Sequence, residues 1–214
     1  IHFPIAWKFT GLDTPGWGAS ELSDTPLIET WRAMESLADA GKCRSIGVSN
    51  YPMLLMHDLV TQARIRPACN QIEVHAHYKR DSLVNYCLSR GIRVTAHTPL
   101  GGGLANTNEF QLGENFAPIV HPIIVGIAEK KSKSPAQILL RWLLQRDIVV
   151  LPKSVRPERI AENIDLFDFE LDDNEMEDIG KLDKYVSYKT NPNPFVAFVG
   201  GKDCFSEKGT DIFD

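Results

Sequence analysis

Short runs rich in apolar residues alternate along this chain with longer stretches in which apolar residues recur every three or four positions. That alternation reads as strands interleaved with helices. After a loop over 10–24 rich in Gly, Pro, Asp and Ser, Thr25-Pro26 caps a predicted helix running to about residue 40. Ile28, Trp31, Met34 and Leu37 form its inward face, and Gly41 stops it. A strand over 43–48 ends in Ser49-Asn50, and Pro52 opens a helix over 53–63. Pro67 leads into a strand over 68–74, followed by a helix over 79–89 that closes at Gly91 and a strand over 92–97. Gly101-Gly102-Gly103 begins a long loop. Helices over 122–131 and 135–145 come next, then a strand over 148–151 and a helix with Pro157 in its first turn.

Strict alternation with apolar strands implies a parallel sheet buried on both faces, an α/β fold. No GxGxxG follows a strand and no P-loop is present, which argues against a Rossmann domain. A (β/α)8 TIM barrel fits the order of elements, but about four complete strands are visible where a barrel has eight. The expectation is the C-terminal half of such a barrel: a single domain over 1–214, with 185–214 as a C-terminal loop or tail. The chain opens on Ile1-His2-Phe3-Pro4 without an initiator Met, and Ile1-His2 resembles the end of a strand. It is therefore expected to be a piece of something longer.

Composition narrows the partners. A net charge of −5 supplies no field to attract nucleic acid or an anionic membrane. No apolar run is long enough to span a bilayer. Any anion must be held by a local cluster. Cys43, Cys69, Cys87 and Cys204 show no CxxC spacing, and Cys69 and Cys87 sit in apolar contexts. Buried thiols in a reducing cytoplasm are the expectation.

In parallel barrels the chemistry sits at the carboxyl ends of the strands. Read in order, those ends give His2, Ser49-Asn50, Asn70-Gln71 with Glu73, His97-Thr98, and Lys153-Ser154. Asn50 and Gln71 each offer a donor and an acceptor, matching a carboxamide. His97 offers a flat face for an aromatic ring. Singly, each has a plainer reading: Asn50 as a helix cap, Gln71 bonded to backbone, His97 as a satisfied half-buried histidine. Together they describe a nicotinamide at one end and a phosphorylated ribose at the other.

The 151–163 run supplies that second end. Lys153, Ser154, Arg159 and a helix N-terminus converge there, and Arg159, Glu162 and Asn163 share one helical face. For this run alone, a surface loop with an Arg–Glu pair competes equally. His75 and His77 are two apart with no third ligand at metal spacing, so a loop at a strand end is the reading and no metal is expected. His57 and His121 look like surface or helix-start residues, and Lys130 to Lys133 like a solvated helix terminus.

The segments Ile1-His2-Phe3-Pro4, Ile46-Gly47-Val48-Ser49-Asn50-Tyr51, Cys69-Asn70-Gln71-Ile72-Glu73, Thr98-Pro99-Leu100-Gly101 and the 151–163 run resemble the aldo-keto reductase family, in particular its aldose and xylose reductase branch. The resemblance implies an NADPH-dependent oxidoreductase that reduces small aldehydes and ketones, aldoses included, to alcohols. By that resemblance His2 is the active-site histidine that orients the substrate carbonyl. Ser49, Asn50 and Gln71 hold the nicotinamide carboxamide, and His97 takes the place of the usual stacking tyrosine. Thr98, Leu100 and Gly101 belong to the loop over the pyrophosphate. Lys153, Ser154 and Arg159 clamp the 2′-phosphate, Glu162 and Asn163 contact the adenine, and Phe3, Phe195 and Phe198 line the substrate pocket. The family's catalytic tyrosine, lysine and aspartate lie upstream of Ile1.

The isolated chain is accordingly expected to be inactive, while its parent, a cytoplasmic monomer, is active. A half barrel exposes two strand edges, so the fragment is expected to pair with its missing half or with itself. A non-catalytic NADPH-binding regulatory subunit on the same fold is the alternative, and the upstream residues would discriminate the two.

Overall fold

The computed structural model describes residues 1–8, 22–101, 117–185 and 187. Much of the predicted 10–24 loop, the glycine-rich loop after Gly101, Cys204, and nearly all of the 185–214 tail with Phe195 and Phe198 lie outside the described residues. The elements are α1 (Leu27–Asp39), β1 (Val48–Ser49), α2 (Met53–Gln62), β2 (Cys69–Glu73), α3 (Asp81–Ser89) and β3 (Arg93–His97). A 3-10 turn at Pro118–Val120 precedes α4 (Pro122–Lys131), α5 (Pro135–Gln145), β4 (Ile148–Leu151), α6 (Pro157–Ile164) and α7 (Asp173–Gly180). Strand order in the sheet follows chain order, and the β1–β2 and β3–β4 pairs are parallel, so the α/β expectation holds.

The described residues divide into two compact units, one within Ile1–Gln71 and Ser82–Arg93, the other within Ile72–Asp81 and Val94–Asn191. In the first unit, Trp31 and Glu35 lie one turn apart on α1 and grip one residue. The Trp31 indole N–H donates to the Ile65 carbonyl (3.0 Å), and Glu35 Oε1 accepts from the Ile65 N–H (2.8 Å). That polar grip sets the buried line of α1. Leu37, expected to face inward, is instead 39% exposed, because the face centres on Trp31 and Glu35.

The strand expected over 43–48 shrinks to Val48–Ser49. Arg44 and Ser45 are exposed and offer nothing to a sheet face, although the Ile46 carbonyl still accepts from the Ala68 N–H (2.8 Å). Gly47 is required by a close approach: a Cβ there would lie 2.6 Å from Cys69 Sγ. Cys69 fills that space and is half-buried rather than buried, whereas Cys87 is fully buried as expected.

The second unit is built on α5, which buries Ile138, Leu139, Leu140, Trp142 and Leu143. Pro135 follows a reciprocal capping box: Ser134 Oγ accepts from the Gln137 N–H (3.2 Å), and Gln137 Oε1 accepts from the Ser134 N–H (3.0 Å). Gln137 then uses its Nε2 to reach the Asp165 carbonyl (2.7 Å), tying α5 to the end of α6. Helix α7 was not expected. Its start, Asp172 to Glu175, is a second capping box, the one signal that would have revealed it.

Glu175 changes the reading of the lysine run. Lys130 and Lys131 each bring Nζ to 2.9 Å from its carboxylate, and Lys133 bonds Asp165 and Asp168 (3.2 and 2.7 Å). The Lys131 and Lys133 side chains are largely covered, so this is an ion-pair network rather than a solvated terminus. Burial of Glu175 works to raise its pKa, but bonds from Lys130, Lys131 and the Asp172 N–H outweigh it and hold the pKa down from 4.5 to about 2. A depressed carboxyl contributes stability above its unfolded pKa and loses it as pH falls through the folded value. Glu175→Gln keeps the cap and removes the charge. It is expected to cost on the order of 3 kcal/mol at pH 7 and to flatten the stability loss between about pH 4.5 and 2, read by urea unfolding across that range. A parallel acid curve for the variant would contradict this.

Candidate functional site

In the first unit, the end of β1 is organised by β2. Val48 pairs with Asn70 and Ser49 with Gln71. The Gln71 carbonyl accepts twice, from Ser49 Oγ (2.7 Å) and from the Asn50 N–H (2.9 Å). Asn50 is left-handed (φ 61°), a conformation that Asn tolerates better than most residues and that turns the chain at the strand end. Its Nδ2 donates to the His2 carbonyl (3.0 Å) and to Ser49 Oγ (3.2 Å). The structure thus brings together Ser49, Asn50, Gln71 and the backbone of His2. The exposed His2 ring stacks on Phe3 at 4.3 Å between centroids. Ser49 spends its single hydrogen on Gln71, so toward any ligand it offers only a lone pair.

One residue here had no assigned role. Asn70 is fully buried, and its amide bonds both polar groups of the Tyr51 backbone: Nδ2 donates to the Tyr51 carbonyl (2.8 Å) and Oδ1 accepts from the Tyr51 N–H (3.4 Å). The available signal was a second amide adjacent to Gln71 on the same strand.

In the second unit, His97 and Leu151 are register partners on β3 and β4. The segments that follow them, Thr98-Pro99-Leu100-Gly101 and Pro152-Lys153-Ser154, therefore leave neighbouring strand ends. His97 is half-buried, and its Nδ1 lies 3.1 Å from Thr98 Oγ1. Thr98 has φ 55°, an outlier for a β-branched residue that costs about 1–3 kcal/mol. The Gly101 N–H closes a tight turn onto the Thr98 carbonyl (2.9 Å), with Gly101 itself left-handed (φ 70°).

Beyond β4, Ser154 Oγ accepts from the Arg156 N–H (3.1 Å), shaping the entry to α6. Pro157 is the first helical residue, as its missing N–H suits. Lys153 and Arg159 are exposed, and among the described residues neither takes part in a hydrogen bond or ion pair. The Arg–Glu surface pair weighed from sequence does not form, although Glu162 and Asn163, both half-buried, sit on the Arg159 side of α6. The run is a cationic segment with its charges unspent, the donor set an anion of more than one charge requires.

Glu73, His75 and His77 are buried, and Glu73 and His75 are engaged in internal bonding. Glu73 bonds His75 Nε2 (3.1 Å) through one oxygen and the Ser187 hydroxyl through the other. Burial, with Lys184, His75 and His121 nearby, lowers His77 to a pKa of about 3. Among the described residues no group of three His, Cys, Asp or Glu is arranged to hold a metal ion, and no helix is long and apolar enough to cross a membrane. His121 caps α4, accepting from the Ile123 N–H (3.3 Å), as a helix-start residue should.

Comparison with known proteins gives a consistent answer. A probable NAD(P)H-dependent D-xylose reductase of Emericella nidulans is 42% identical over 201 residues, covering 90% of this chain and 63% of the relative. An NADP-dependent D-sorbitol-6-phosphate dehydrogenase of Malus domestica is 37% identical, covering 89% and 62%. Among solved structures, an aldo-keto reductase of Bombyx mori in complex with NADP superposes with a TM-score of 0.75 at 38% identity, covering 88% of this chain and 57% of that one. The chain thus spans about three-fifths of the length of the relatives it matches. The fold is that of the (β/α)8 barrels, represented among the described residues by four strands and their helices. The aldo/keto reductase family pattern matches residues 14–184, and the chain belongs to that family.

Proposed function

We propose that this chain carries the NADPH-holding residues of a carbonyl reductase acting on small aldehydes and ketones, aldoses among them. The observation that carries the reading is the 151–163 run, where Lys153 and Arg159 stand exposed and unpaired among the described residues beside the Ser154 hydroxyl and the start of α6. That donor set fits a 2′-phosphate. The relatives named for NAD(P)H-dependent reduction of D-xylose support the same cofactor and substrate class.

NADPH, when bound, supplies the hydride. The chain's own residues do the rest of the holding. Ser49, Asn50 and Gln71 engage the carboxamide, with Ser49 accepting from its NH2 because its hydroxyl hydrogen is committed to Gln71. His97, fixed against Thr98, offers its imidazole face to the ring. Thr98, Leu100 and Gly101 follow the pyrophosphate, while Glu162 and Asn163 serve the adenine. His2 orients the substrate carbonyl and Phe3 walls the substrate side, while Phe195 and Phe198, which the resemblance assigns to the same pocket, lie outside the described residues. The family's tyrosine, lysine and aspartate are assigned to sequence preceding Ile1, so proton delivery belongs to the longer parent protein. We place that parent in the cytoplasm.

Titration of the purified chain by quenching of tryptophan fluorescence tests this reading. NADPH is expected to bind at least about tenfold more tightly than NADH, each tenfold being 1.4 kcal/mol, and adenosine 2′,5′-bisphosphate is expected to compete. Equal affinity for the two dinucleotides would remove the 2′-phosphate clamp.

A further inference from the structure

The turn that carries Ser49 and Asn50 is held from a position outside the ligand-facing set. The β1–β2 ladder ends at the Ser49–Gln71 pair, and the next residue is left-handed. Nothing in the regular ladder fixes where residue 51 goes. Asn70 does. Its side-chain amide lies against the Tyr51 peptide groups with donor to acceptor and acceptor to donor, adding one rung past the end of the strand. Both Asn70 and Tyr51 are withdrawn from solvent, at 0% and 1% exposure. In that setting an unpaired amide is costly, so the clamp has one favourable arrangement.

Two adjacent residues of β2 therefore govern three residues of the turn. The Gln71 carbonyl takes the Ser49 hydroxyl and the Asn50 N–H, and the Asn70 side chain takes both polar groups of Tyr51. The Tyr51 ring is also buried, which anchors the turn from its far side. With Asn50 bracketed on both sides, its side chain is aimed at the His2 carbonyl and at Ser49. We propose that Asn70 is a positioning residue for the nicotinamide carboxamide: it touches no ligand, and it sets the left-handed turn that presents Ser49 and Asn50. This rests on the NADPH reading given above.

Asn70→Leu removes both bonds while keeping the same branched heavy-atom skeleton. Measured on the full chain, it is expected to weaken NADPH binding at least tenfold while leaving the affinity for adenosine 2′,5′-bisphosphate within twofold of wild type. That fragment carries the 2′-phosphate and adenine but no carboxamide. Equal losses for both probes, or no loss for either, would overturn the proposal and leave Asn70 a packing residue. Asn70→Asp, which keeps the acceptor for the Tyr51 N–H and loses the donor to its carbonyl, gives the same ratio test if the leucine variant does not fold. Amide hydrogen exchange adds a readout independent of ligand. The Asn50 and Tyr51 amides are expected to exchange at least tenfold faster in either variant, and unchanged protection would also overturn the clamp. If wild type binds neither probe, the cofactor reading fails, and the exchange comparison alone decides the role of Asn70 in the turn.

Discussion

Lys153→Ala and Arg159→Ala are each expected to weaken NADPH binding by about 10- to 100-fold while changing NADH binding less than threefold. Both side chains are exposed and without a partner among the described residues, so neither variant breaks an ion pair of the protein itself. On the proposed reading, what each loses is a charge-assisted bond to the 2′-phosphate, about 1.5–3 kcal/mol. NADH lacks the 2′-phosphate and so has nothing to lose there. Because α6 contributes no buried residue, the fold should be indifferent to Arg159→Ala. A melting temperature within about 2 °C of wild type checks that. Fluorescence titration of both dinucleotides against both variants measures the rest. Parallel losses for NADPH and NADH would show that the two cations act on something common to both, such as the pyrophosphate.

The second large effect concerns turnover. On the proposed reading, the 214-residue chain alone should oxidise NADPH with an aromatic aldehyde at least about 10²–10⁴-fold more slowly than its full-length parent, the range general acid catalysis contributes. On that reading, none of the tyrosines among the described residues is placed to supply the acid. Tyr51 is buried, its hydroxyl has no hydrogen-bond partner among the described residues, and burial raises its pKa to about 12. Tyr78 is buried beside His75, and Tyr86 lies on α3 with its hydroxyl 3.0 Å from His57. Tyr185 is exposed beyond α7, and Tyr188 lies outside the described residues. Steady NADPH oxidation by the purified chain at the rate of its full-length parent would refute the assignment. It would also point to a proton donor within this sequence. Binding of NADPH without turnover is the expected outcome, and a parent with that same behaviour would favour the regulatory-subunit alternative.

The strand ends were the most legible part of the sequence. Helices α4 and α5 match residue for residue because Pro122 and Pro135 each suit a first helical turn, and β4 matches because Pro152 ends its apolar run. The 43–48 strand was overread because apolar content at Ile46 and Val48 was extended through Arg44 and Ser45, which face solvent. Leu37 was misplaced because helical periodicity counts apolar residues, whereas α1 is oriented by two polar bonds to Ile65. Helix α7 escaped because its buried side is small, and a capping box rather than an apolar stripe defines it.

The sequence by itself determined the α/β order of elements and the family, and it nominated the residues proposed to face a ligand, since these depend on local propensity and on motifs contiguous in the chain. Only the tertiary structure decided what those residues are free to do. Ser49 became an acceptor because its hydrogen is spent on a carbonyl 22 residues away, and Lys153 and Arg159 became available because no carboxylate among the described residues folds against them. Glu73 became unavailable because His75 and Ser187 occupy it, and Asn70 became a clamp because the sheet register sets it against Tyr51. Hydrogen-bond commitments are made between residues distant in the chain, so residue type and spacing alone do not reveal them.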